Sequence, residues 1–347
     1  MNLYIINFLI CIFCILAINF ILSNLKILID NPLSSFHKNK HGKIISLSGG
    51  LYFYISSYLI SINSKIDINI LIYIFPILVV GIIADTKKNF SPILRLFLQI
   101  LIIIFIVYSL NITVSSVDLN FFDLFLQNKN FNLFFVVFCL VTVLNGYNLM
   151  DGLNGLVVGH LLLITISMIC LASLDEIFFI QGTYETLKYL FLIMIIFFIF
   201  NLYEKCFLGD NGIYVFSIFL SIIIINFIEN SQNKLSPIIA VNYLWYPAYE
   251  NLFSIIRRLK NKKIISNPDK LHLHILINNF LLKKFKNNLK FSQINSLSSL
   301  IIILFLIPNF IFCTLWFDQS IKLTILVIIQ ILIYTILYFK LTKNYKK

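Results

Sequence analysis

The sequence predicts an all-α integral membrane protein, a polytopic bundle of ten or eleven transmembrane helices. Three observations predict it. Apolar runs of bilayer-crossing length recur from end to end, 59% of the 347 residues are apolar against 12% charged, and the mean hydropathy is +0.92. A soluble domain could not hide so much apolar surface, whereas about 20 apolar residues cross the roughly 30 Å hydrocarbon core. One domain covering residues 1–347 is expected. The net charge of +12 points to sidedness rather than to nucleic acid, for which no motif occurs.

Taken in order, the apolar runs predict spans at about 2–24, 45–62, 69–84, 92–113, 131–147, 155–173, 187–202, 212–228, 235–249, 295–316 and 321–340. The first run lacks a basic n-region and is as long as a span, so it reads as a helix rather than a signal peptide. With the N-terminus outside, 22 of the 27 Lys and Arg residues fall on the cytoplasmic side. The positive-inside rule therefore predicts N-outside and C-inside. The six cysteines are scattered, five of them within apolar runs, and read as small core residues. Cys11 and Cys14 have no second pair to complete a metal site.

The same parity places every chemical-looking cluster at one face. The central stretch is NGYNLMDGLNGLVVG (145–159), with Asn145, Asn148, Asp151 and Asn154 at a spacing of three. In a helix these four line one face, and a carboxylate at a membrane boundary is costly unless a cation or water satisfies it. Asp85 ends the third run beside Lys87 and Lys88, either as a site carboxylate or as an ion-paired helix end. Asp210, in LGDNG ahead of the next span, reads as a helix cap, as a carboxylate beside free backbone N–H groups suited to a divalent metal and a phosphate, or as both. The segment 251–294 reads as a long cytoplasmic loop. It carries Arg257 and Arg258, which suit either anionic lipid or a phosphate. It also carries His272 and His274, whose i, i+2 spacing does not suit two ligands on one helix face; the rings are expected to point apart, which suits phosphate donation better than zinc. Lys43, ahead of Gly49 and Gly50, fits a further phosphate contact. This inventory suits Mg²⁺-assisted chemistry on phosphate-rich substrates. It does not suit a hydrolase triad, since no Ser or Cys has a nucleophile elbow, and no P-loop, GxGxxG or HExxH occurs.

Five motifs, in order, resemble those of the bacterial polyprenyl-phosphate N-acetylhexosamine-1-phosphate transferases, relatives of the translocase that makes peptidoglycan lipid I. They are KHGKIISLSGG (40–50), GIIADTKKNFSPILRLFLQ (81–99), NGYNLMDGLNGLVVG, FLGDNG (207–212) and PAYENLFSIIRRLKNKKIISNPDKLHLHIL (247–276). The resemblance covers about residues 30–285. It implies attack of undecaprenyl phosphate on the β-phosphorus of a UDP-N-acetylhexosamine, releasing UMP, at the cytoplasmic face of a bacterial inner membrane, with a homodimer as the assembly. Carried over to this sequence, Asp85 and Asp151 are the catalytic carboxylates. Asp210, with Asn148 and Asn154, lines a Mg²⁺ site that Mn²⁺ also suits. Asn145, Lys43, Arg257, Arg258, His272 and His274 hold substrate. Three positions depart from the pattern: Ala84 and Asn154 stand where Asp is usual, and Ile275 replaces a histidine. Fewer carboxylates predict weaker metal affinity. The alternative readings are a polyprenyl-lipid flippase and a catalytically weakened relative of the transferases.

Overall fold

A computed structural model of the chain describes residues 3–30, 44–62, 68–87, 89–174, 181–231, 234–262, 271–285 and 287–345. It is an α-helical bundle. In chain order the helices are α1 (Leu3–Leu25), α2 (Gly49–Ser61), α3 (Ile68–Thr86), α4 (Pro92–Ser109), α5 (Asn120–Leu126), α6 (Lys129–Met150) and α7 (Leu156–Leu174). They continue with α8 (Gln181–Leu202), α9 (Gly209–Glu229), α10 (Ile238–Lys260), α11 (Leu273–Phe285), α12 (Phe291–Leu315) and α13 (Ser320–Tyr345). Their starts follow local chemistry. Pro92 occupies the first turn of α4, where its missing N–H costs nothing. The Asn128 side chain caps α6 by accepting from the N–H groups of Asn130 and Phe131.

All eleven apolar runs are helical, but they do not all span equally. Among the described residues nine helices are long and apolar enough to cross a bilayer, namely α1, α3, α4, α6, α7, α8, α9, α12 and α13. The run 45–62 yields α2, whose 13 residues reach only about 20 Å. The run 235–249 is the first half of α10, which continues to Lys260 because the sequence turns polar there without a residue that breaks a helix. The expected loop 251–294 thus holds the end of α10, the whole of α11 and the start of α12.

The core is organised around α9, which is buried along almost its whole length and packs against α2, α3 and α6. A helix apolar on every side requires such a central position. Its entry is clamped by a small sheet in which β1 (Ile29–Asp30) pairs antiparallel with β2 (Ile45–Ser46). Next to it, Phe207 N donates to Ser46 O at 2.8 Å and Ser48 N to Phe207 O at 3.1 Å. The Gly49-Gly50 pair, expected at a phosphate, is instead buried where α2 meets α9, and Gly50 N donates to Asn211 Oδ1 at 2.7 Å. Small residues serve here to bring two helices together.

Candidate active site

The first turn of α9 leaves backbone N–H groups without helical acceptors, and Asp85 at the end of α3 supplies them. Asp85 Oδ1 accepts from Asp210 N at 2.9 Å, and Oδ2 accepts from Asn211 N at 3.0 Å and from Asn211 Nδ2. Asp85 is therefore the side chain that caps α9, and Asp210, for which a cap was one of the two roles expected from sequence, lies one residue inside the helix. Gly209 makes this possible. Its φ of +69° is a left-handed conformation suited to glycine, and a Cβ there would stand 2.8 Å from Asp85 Oδ2. The freed Asp210 carboxylate accepts from Arg95 Nη1 at 2.9 Å through Oδ2, and its side chain is 20% exposed.

Arg95 joins this cluster to a cavity of about 1100 Å³. One end of the cavity is polar, lined by Arg95, Asn145, Asn148, Asp151, Arg258, His272 and His274. The rest is walled by Leu96, Ile100 and Ile104 of α4 and by Leu133, Val137 and Val141 of α6. Both triplets recur at i+4 and so form one ridge on each helix. The lining on α6 runs from Asn130 to Asp151, and Leu133 to Asn148 alone cover about 22 Å of helix. Asn145 Nδ2 donates to Gln99 Oε1 at 3.2 Å, tying α6 to α4 at the polar end.

The expected single polar face over 145–154 is interrupted. α6 ends at Met150, with Asp151 as its C-cap, so Asn145, Asn148 and Asp151 line the cavity while Asn154 turns away. Asn154 is buried. Its Nδ2 donates to Glu204 Oε1 at 3.1 Å, and its backbone N donates to Asn295 Oδ1 at 2.7 Å. This explains why an amide stands where the resemblance calls for a carboxylate, since Asp would face Glu204 with like charge and no donor. Asn154→Asp is therefore expected to destabilise the fold by on the order of 1–2 kcal/mol, seen as a lower Tm in detergent. Adding Glu204→Gln should recover it. Equal Tm values for all three proteins would remove this explanation.

The two arginines also part company. Arg258 lines the cavity, whereas Arg257 donates through Nη1 to Leu271 O and, at 3.0 Å, to Tyr338 Oη. The histidine rings do not point apart as expected, and an extended entry to the helix is itself a reason, because residues i and i+2 of an extended chain share a face. Leu273 begins α11, and this turn of the chain stacks His272 on His274 with centroids 5.6 Å apart and planes 13° apart. Lys43 lies outside the described residues. Arg95 and Glu250 were not singled out as site residues from sequence, although each stands in a quoted motif, Arg95 four residues ahead of Gln99 and Glu250 three after Pro247.

Among the described residues no three His, Cys, Asp or Glu side chains gather as a closed metal cage. Separate oxygen donors are present instead: Asp210 is partly exposed beside Arg95, and Asp151 and Asn148 stand in the cavity wall. That fits Mg²⁺, which commonly takes one or two carboxylates and completes its shell with water and substrate phosphate.

Comparisons with known proteins give a family likeness. Residues 68–228 match the family model described as glycosyl transferase family 4. The chain is 28% identical over 285 residues to a probable undecaprenyl-phosphate N-acetylglucosaminyl 1-phosphate transferase of Bacillus subtilis, covering 78% of this chain and 76% of the relative. It is 26% identical over 247 residues to an undecaprenyl-phosphate alpha-N-acetylglucosaminyl 1-phosphate transferase of Thermotoga maritima, covering 71% of each. Over residues 68–228 the chain is similar to glycosyl transferase family 4, and the five ordered motifs and the all-α membrane bundle support that likeness.

Proposed function

We propose that the protein transfers an N-acetylhexosamine 1-phosphate from a UDP-sugar to undecaprenyl phosphate, releasing UMP, as a first membrane step of cell-surface polysaccharide synthesis. The observation that carries this reading is the shape of the cavity: a polar end of carboxylate, amide, arginine and histidine groups opens into an apolar wall that runs about 12 Å along α6, from Leu133 to Val141. A phosphate on a long hydrocarbon chain fits both parts at once. The names of the two relatives, both undecaprenyl-phosphate N-acetylglucosaminyl 1-phosphate transferases, support this acceptor and an N-acetylhexosamine 1-phosphate as the transferred group. The concentration of Lys and Arg on one side supports a cytoplasmic position for the polar end, in the inner membrane of a bacterium.

In this reading an oxygen of the lipid phosphate forms a bond to the β-phosphorus of the donor. The bond from that phosphorus to the bridging oxygen breaks, and UMP leaves with the electron pair. The acceptor is already ionised near neutral pH, since a phosphate monoester has a second pKa of about 6. No residue need take a proton from it, so positioning and charge neutralisation carry the reaction. Arg95 and Arg258 face the phosphates, and Asn145 and Asn148 offer amides to the sugar or the phosphates. Asp85 holds Asp210 in register through α9. A bound Mg²⁺, held by Asp210 with Asp151 or Asn148, would neutralise charge on the diphosphate.

The test is UMP release by the detergent-purified protein given undecaprenyl phosphate, Mg²⁺ and a panel of UDP-N-acetylhexosamines. Release that requires both lipid and metal, and that stops with EDTA, is the expected result, and the panel names the sugar. No release from folded protein with any donor would overturn the reading.

A further inference from the structure

We propose that Glu250, locked by Tyr334 of the last helix, is a positioning residue that fixes the His272 ring with Nδ1 toward its carboxylate and Nε2 toward the cavity. The inference deepens the transfer reading above and rests on it for its kinetic part. Glu250 is fully buried on α10, where an ionised carboxylate is costly unless every oxygen is engaged. Both are. His272 Nδ1 lies 2.8 Å from Oε1, and Tyr334 Oη donates to Oε2 at 2.6 Å. With a carboxylate opposite, Nδ1 carries a hydrogen whether the ring is neutral or charged. His272 lines the cavity, and neither Glu250 nor Tyr334 does.

The last helix addresses this part of the site twice. Tyr338, one turn beyond Tyr334, accepts from Arg257 Nη1 at 3.0 Å, and Arg257 also donates to Leu271 O, the carbonyl just ahead of His272. Tyr334 thus fixes the ring while Tyr338 helps fix the backbone that carries it. A merely structural role is a poor account of Glu250, because α10 and α13 are already joined by neutral contacts. Tyr249 Oη and Thr335 Oγ1 lie 2.8 Å apart, and the Tyr249 and Tyr334 rings meet edge to face at 5.0 Å. Helix association does not need a carboxylate, whereas fixing a histidine tautomer does.

The experiment combines ¹⁵N-histidine NMR with steady-state kinetics on the full chain in detergent, assigning His272 among the five histidines by the signal lost in His272→Asn. In the wild type His272 is expected to hold its hydrogen on Nδ1. Glu250→Gln, whose amide can accept from or donate to Nδ1, and Tyr334→Phe, which frees the carboxylate to rotate, should each bring a second tautomer into view. Each should also lower kcat/KM for the UDP-sugar by about tenfold. Thr335→Val, which breaks the neighbouring α10–α13 hydrogen bond, should lower Tm without changing either readout. A bare Nδ1 in the wild type, or a tautomer unchanged in both variants, overturns the inference whatever the activity. A wild type that releases no UMP overturns the transfer reading instead and leaves the tautomer result to stand alone.

Discussion

Asp210→Asn is expected to lower UMP release by about 10²-fold or more while leaving the fold intact. The two effects separate because the carboxylate has different weight in each. For folding, its ion pair with Arg95 joins side chains 20% and 31% exposed, and such half-exposed pairs contribute about 0–1 kcal/mol. The amide is isosteric, and the contacts that Asp85 makes to the backbone of α9 do not involve the Asp210 side chain. For chemistry, the same substitution removes a charge that is the proposed metal ligand and the anchor of Arg95 at the cavity. Single preorganised electrostatic contacts of this kind are worth about 10²–10³ in rate. Titration with Mg²⁺ divides the two contributions. Asp210→Asn should need more metal for half-maximal rate, whereas Arg95→Lys should lose rate with the metal requirement unchanged. A normal rate for Asp210→Asn at the normal Mg²⁺ concentration would show that another group holds the metal.

Gly146→Ala should be the most damaging of the conservative changes to the packing. A Cβ at 146 would stand 2.0 Å from Pro247 O and 2.4 Å from Pro247 C. These are backbone atoms of α10 and have no rotamer into which to retreat, so α6 and α10 must move apart. Alanine gains about 1 kcal/mol of helix propensity over glycine, but overpacking costs about 1–3 kcal/mol, and a rigid backbone neighbour puts this site at the upper end. The damage reaches the cavity because the two helices carry its polar end: Asn145 and Asn148 flank Gly146 on α6, and Arg258 lies on α10. Thermal unfolding in detergent should show a lower Tm, and UMP release should fall with it. Wild-type values of both would mean that the two helices do not cross so closely.

The spans were legible because burial in a bilayer is written directly into the chain. Each of the eleven apolar runs became a helix, and α10 was misjudged only in length, since its polar half changes neighbours without ceasing to be helical. Apart from Arg95, the residues of the polar cavity end were legible too, since polar and glycine-rich motifs at one set of helix ends have little other reason to exist. Their partners were not. Asp85 acts on a helix that starts more than a hundred residues later. Asn154 answers to Glu204 rather than to its neighbours in the motif. Arg257 and Arg258, adjacent in sequence, face different surroundings because consecutive residues of a helix point about 100° apart. The stacking of His272 on His274 depends on where α11 begins, which a short segment without a capping signal does not announce.

The apolar wall between α4 and α6 has a thermodynamic consequence. Exposed side chains, Ile93, Phe134 and Phe138 among them, belong to its lining, so a hydrocarbon chain lodged there comes from the surrounding lipid and not from water. Transfer from one hydrocarbon phase to another releases no ordered water, and the hydrophobic effect that would dominate such binding in solution contributes almost nothing. The groove can align a tail through dispersion contacts and shape. Under the proposed transfer, the free energy that holds the acceptor must then come from its charged end, from the same few polar groups proposed to carry the reaction.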